Sequence, residues 1–145
     1  MENKTATVIL SIVAVIGGIV LNFEEFAWGG PVNAKSLIVT LAYLAIWVFV
    51  LIRSTKGKSS KMVKYCFSFW ILTFFFSLLT AYTNATEASA DWAIPFVIVF
   101  LGPLDGIRFF VNDFMISSII IAIISFGIST ATILLYKQIN KQTEN

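Results

Sequence analysis

Four runs of the chain, 5–23, 36–52, 65–86 and 114–136, contain no charged side chain. Runs of this length constrain the fold more than any other feature here. A helix satisfies its backbone hydrogen bonds internally, so roughly 20 apolar residues carry it through hydrocarbon about 30 Å thick. The expected fold class is therefore all-α, a polytopic membrane helical bundle forming a single integral membrane domain over residues 1–145. Its expected spans are Ala6–Phe26, Val32–Arg53, Tyr65–Thr83 and Phe114–Tyr136. Composition agrees, since 58% of residues are hydrophobic and 12% charged, against about 25% charged in an average soluble domain. The first run reads as a span and not as a cleaved leader, because Asn22-Phe23-Glu24-Glu25 stands where a small-residue cleavage site belongs.

Orientation comes from Arg53 to Lys64, a stretch with five basic side chains and no acidic one. Such a loop between two apolar runs is retained on the cytoplasmic side. Lys4, Lys137 and Lys141 extend the same bias to both chain ends, whereas Glu24, Glu25, Glu87, Asp91, Asp105 and Asp113 belong to the other side together with Lys35 and Arg108. Both termini are thus expected in the cytoplasm. The abundance of isoleucine, phenylalanine, lysine and asparagine points to a bacterial plasma membrane.

The segment Trp92–Val111 does not fit a simple span. Its continuous apolar part, Ala93 to Leu101, covers about half the hydrocarbon, and Gly102-Pro103 and Asp105-Gly106 then interrupt it. The expectation is a re-entrant or interfacial helical segment that returns to the outer side. A fifth crossing would place Lys137 and Lys141 outside, against the basic-residue bias.

Each span also has a stripe of small or polar residues at helical spacing: Ser11, Ala14, Gly18, Asn22 and Glu25; Thr40, Tyr43 and Trp47; Thr73, Ser77, Thr80 and Asn84; Ser118, Ala122, Ser125, Ser129 and Thr132. Stripes of this kind let helix backbones approach closely in a bilayer. The candidate polar cluster is Asn22, Glu24, Glu25, Asp105 and Arg108, which would meet at the outer end of the bundle. Charged residues near hydrocarbon are candidates for function by default, although a capped turn that clamps helix ends needs the same residues.

Chemically the chain is sparse. It has no histidine and one cysteine, Cys66, which removes the commonest general base and metal ligand and any internal disulfide. No catalytic residue, metal site or cofactor is expected, and no nucleic-acid partner. The expected role is a non-enzymatic accessory, interaction or protective membrane protein whose partners are the lipid bilayer and either another membrane protein or further copies of itself. A small transporter or channel component with a polar site at the outer end is the alternative.

Overall fold

In the computed structural model, which describes residues 2–144, the regular secondary structure of the described residues is all helical, with no strand. Three long helices come first: α1 (Glu2–Ala27), α2 (Ala34–Lys56) and α3 (Ser60–Thr86). A 3-10 turn (Asp91–Ala93) leads into the short α4 (Ile94–Leu101), a second 3-10 stretch (Gly102–Ile107) and the single turn α5 (Arg108–Val111). The last helix is α6 (Phe114–Glu144). Five stretches, Lys4–Ala27, Ala34–Lys56, Ser60–Thr86, Asp91–Val111 and Phe114–Lys141, are long and apolar enough to cross a membrane. The fold is compatible with a multi-pass membrane protein.

Local signals account for most helix ends. Gly29, at φ +65°, turns the chain after α1, and Asn33 caps α2 by accepting a hydrogen bond from the Ser36 amide (3.2 Å). Gly57 closes α2, its amide donating to the Arg53 carbonyl, and Glu87 ends α3 in the left-handed region at φ 55°. Asp113 caps α6, its carboxylate accepting from the Ile116 amide at 2.7 Å. The helices overrun the apolar runs: Arg53–Lys56 complete α2 and Ser60–Lys64 start α3, so the basic stretch is two helix ends joined by 57–59. Lysine is a good helix former and nothing polar in these segments breaks a helix, so helicity continues where hydrophobicity stops.

α1 pairs with α2 and α3 pairs with α6, both antiparallel. The α3–α6 register is fixed along its length: Phe74 meets Phe126 (5.7 Å between centroids), Lys64 lies over the Tyr136 ring, and the Ser60 hydroxyl donates to Asn140 (3.0 Å). Aromatic side chains join the two pairs. Trp47 of α2 stacks on Phe69 of α3 at 4.3 Å and is flanked by Tyr65 and Trp70.

Residues 91–111 form a hairpin inserted between the pairs. Going in, Phe96 stacks on Phe76, and Phe100 reaches Phe69 as well as Phe76. Coming out, Pro103 lies against Gly18, Arg108 meets Glu25 and Phe114 meets Phe26 at 6.1 Å. The hairpin therefore begins and ends at the bundle end where α1 stops and α6 starts. Gly18 lies nine residues before the end of α1, so the tip is roughly 14 Å deep at 1.5 Å per residue.

Burial is arranged with polarity inward. Ser11, Asn22, Ser36, Thr40, Thr73, Ser77, Ser118, Ser125, Ser129 and Thr132 are buried, while Ile16, Val20, Ile38, Leu41, Phe75, Ile123 and Phe126 are exposed.

Candidate functional site

The hairpin tip creates the demand that its surroundings meet. A 3-10 stretch containing Pro103 and Gly106 leaves backbone groups without helical partners, and buried backbone groups must be hydrogen-bonded. α1 and α2 supply those bonds from side chains. Asn22 donates from Nδ2 to the Gly102 carbonyl (3.2 Å) and to the Pro103 carbonyl (3.4 Å). Thr40 donates its hydroxyl to the Pro103 carbonyl (2.9 Å) and accepts the Gly106 amide on the same oxygen (2.9 Å). One threonine thus ties both sides of the turn.

Close approach depends on two glycines. A Cβ on Gly106 would collide with the Ser36 carbonyl and the Thr40 hydroxyl, and one on Gly18 would sit 2.6 Å from the Pro103 Cβ. Hydrogen atoms at these positions let the hairpin backbone rest directly on α1 and α2.

Just after the tip, Asp105 and Arg108 form a buried ion pair, 2% and 6% exposed. Arg108 donates from Nε to one carboxylate oxygen (2.6 Å) and from Nη2 to the other (2.9 Å), a two-pronged contact across a single helical turn. Nη2 also donates to the Glu25 backbone carbonyl at 2.7 Å. That carbonyl belongs to the last turn of α1, where helix carbonyls lack internal partners and the dipole favours a cation. The Arg108 guanidinium carbon lies 4.0 Å from the centroid of the Phe114 ring, completing a site in which one cation joins α1, the hairpin and α6.

The five residues singled out from the sequence divide in three. Asn22, Asp105 and Arg108 surround the hairpin turn. Glu25 is adjacent, but its carboxylate faces Lys35 (2.8 Å) and Asn33 (3.2 Å), and only its backbone carbonyl meets Arg108. Glu24 is exposed and stands outside the cluster. Thr40, Lys35 and Phe114 belong to the site without having been singled out. Thr40 had a signal, its place in a stripe with Tyr43 and Trp47. Lys35 and Phe114 had none, because their partners are distant in sequence or on the far side of a turn.

This arrangement binds backbone to backbone. Both Asp105 oxygens are held by Arg108, so the carboxylate is not presented as a base toward an open cleft. Among the described residues, no group of three or more histidine, cysteine, aspartate or glutamate side chains could hold a metal ion. Comparison with protein-family models, with curated proteins and with solved structures finds no match to the chain.

Proposed function

We propose that the chain is a non-enzymatic accessory or interaction protein of the bacterial plasma membrane, with four spans (α1, α2, α3 and α6), a re-entrant hairpin over 92–111 and both termini in the cytoplasm. The observation that carries this reading is the use of the hairpin's polar groups: the Asp105–Arg108 pair, Asn22 and Thr40 fasten the hairpin to α1 and α2. Polar groups committed to each other make a rigid plug, which suits a protein acting through its outer surfaces. Those surfaces are apolar, with Val20, Ile38, Phe75 and Ile123 exposed, as hydrocarbon or a partner's helices would favour.

Copurification in mild detergent tests it. A stoichiometric larger membrane protein recovered with the tagged chain supports an accessory role. A chain that purifies alone and conducts solute in liposomes overturns it. The second reading, a transporter or channel component, draws on Asn22 Oδ1, Glu25 Oε2 and Ser36 Oγ, buried polar atoms of α1 and α2 that have no hydrogen-bond partner. Solute flux through reconstituted protein, abolished by Asn22→Leu, would favour that reading.

A further inference from the structure

Where the hairpin enters the bundle, the end of α1, the last turns of α3, residues 88–90 and the inbound helix α4 surround a cavity of about 360 Å³. Its walls are apolar, with Phe26, Leu79, Ile94 and Val97 among them, and its polar lining residues are Thr80, Thr83, Ser89 and Asp91. The lining contains one carboxylate and no cationic side chain.

The hydroxyl groups decide what such a cavity can bind. Thr80 donates its hydrogen to the Phe76 carbonyl (2.8 Å), Thr83 to the Thr80 carbonyl (3.0 Å) and Ser89 to the Asp91 carboxylate (2.8 Å). A hydroxyl carries a single hydrogen, so these groups have only lone pairs left to give. With no lysine, arginine, asparagine, glutamine, tyrosine or tryptophan in the lining, its side chains offer a ligand acceptors and no donor. Asp91 uses one carboxylate oxygen for Ser89 and, among the described residues, has no ion-pair partner. The field has the same sign. α3 ends here after 27 residues with no basic side chain in its last turn, so the partial negative charge of its final carbonyls is not offset within the helix. The start of the eight-residue α4 opposes that field, but the 3-10 turn before it opens with Asp91 itself. Of the cations at this end, Arg108 is committed to Asp105 and the Glu25 carbonyl, and Lys35 to the Glu25 carboxylate.

We propose that this cavity binds a primary ammonium group attached to an apolar body, carried either by a free amine or by an aminophospholipid. The ammonium supplies positive charge and three N–H donors, which match the carboxylate and the lone pairs of Thr80, Thr83 and Ser89. The apolar body lies against Phe26, Leu79, Ile94 and Val97. Glu24 and Glu87 are exposed and do not line the cavity, which separates the site from the general acidity of this end. Only the lipid source rests on the membrane reading.

The test uses full-length protein in a neutral maltoside detergent at neutral pH, with thermal unfolding followed by far-ultraviolet circular dichroism. Phenethylamine, its uncharged counterpart phenethyl alcohol and the anionic hydrocinnamate are titrated separately. So are short-chain phosphatidylethanolamine and short-chain phosphatidylcholine, whose quaternary ammonium has no N–H. Phenethylamine or phosphatidylethanolamine is expected to raise Tm by about 3–5 °C at about tenfold its apparent Kd, and the other three compounds to leave it unchanged. Asp91→Asn, which removes the charge and keeps the shape, is expected to weaken the apparent affinity about fivefold, and Thr83→Val about threefold. Glu87→Gln, outside the cavity, keeps wild-type affinity. Asp91 and Glu87 are exposed and Thr83 is half-buried, and the comparison of amine with alcohol on the unaltered chain decides even where a variant fails to fold. A shift with phenethylamine alone identifies a soluble amine, a shift with phosphatidylethanolamine alone identifies the lipid, and shifts with both mean that either source supplies the group. No shift with either compound overturns the proposal, as does an equal shift with phenethyl alcohol, hydrocinnamate or phosphatidylcholine. Undiminished affinity in Asp91→Asn, or an equal loss in Glu87→Gln, overturns it as well.

Discussion

Arg108 holds the Asp105 carboxylate, the last turn of α1 and the Phe114 ring at once. Arg108→Ala would leave Asp105 buried and unpaired, a change that costs about 3–5 kcal/mol. Thermal unfolding in detergent should show a large fall in Tm. A second change separates the causes. Glu25 keeps its carboxylate on Lys35, whose side chain is 51% exposed, so Glu25→Gln alone should cost less than about 1 kcal/mol and should not rescue Arg108→Ala. Asp105→Leu should rescue part of the loss, because it removes the stranded charge. Rescue by Glu25→Gln and none by Asp105→Leu would mean that the arginine answers the wrong carboxylate. The sequence made the meeting of Asp105 with Arg108 legible, since they are three apart and can face each other on one turn. It did not separate the Glu25 carboxylate from its carbonyl, because a chain order says nothing of which atom of a residue faces a neighbour.

Among the elements, the hairpin and the small-residue stripes make different demands on space. Gly106 has no room for a methyl group, and Gly18 has Pro103 against it, whereas Gly17 has nothing within 4 Å. Gly106→Ala and Gly18→Ala should therefore lower Tm, and Gly17→Ala should be neutral or raise it slightly by helix propensity. Equal effects at all three positions would show that the hairpin does not rest on α1 and α2. The α3–α6 seam invites a parallel comparison. Ser125 is fully buried and Phe75 is 52% exposed, so Ser125→Leu should reduce the yield of folded protein while Phe75→Leu leaves it unchanged, as read by gel filtration in detergent. The stripes were legible because helical spacing alone places their residues on one face. Which face meets which helix was not: the α1 stripe packs on a proline from 85 residues later in the chain, a contact that no local pattern encodes. Helix ends were also hidden, because Ser60, Lys61 and Lys64 are polar yet helical, and hydropathy marks where hydrocarbon would stop but not where hydrogen bonding does.

For the whole molecule, the fold gathers charge at its two ends. Lys4, Arg53, Lys56, Lys58, Lys61, Lys64, Lys137 and Lys141 belong to the end where α2 gives way to α3, and Glu24, Glu25, Glu87, Asp91, Asp105 and Asp113 to the end that admits the hairpin. By the positive-inside rule the first end faces the cytoplasm in the proposed topology. A crossing by 91–111 would put its two ends on opposite sides of the membrane, whereas a returning hairpin keeps them on one side. Ser89, just before the hairpin, and Phe110, in its last turn, are both exposed and report the difference. In a Cys66→Ala background, single cysteines at 89 and 110 should both react with an impermeant thiol reagent applied to intact cells, and a cysteine at 58 should react only after the membrane is opened. Cys66 is buried, so its removal takes away a competing thiol without altering the surface that is probed. Reaction at 89 but not at 110 would establish five crossings and move α6 and the chain end to the other side. Reaction at 58 in intact cells, with 89 and 110 silent, would invert the whole bundle.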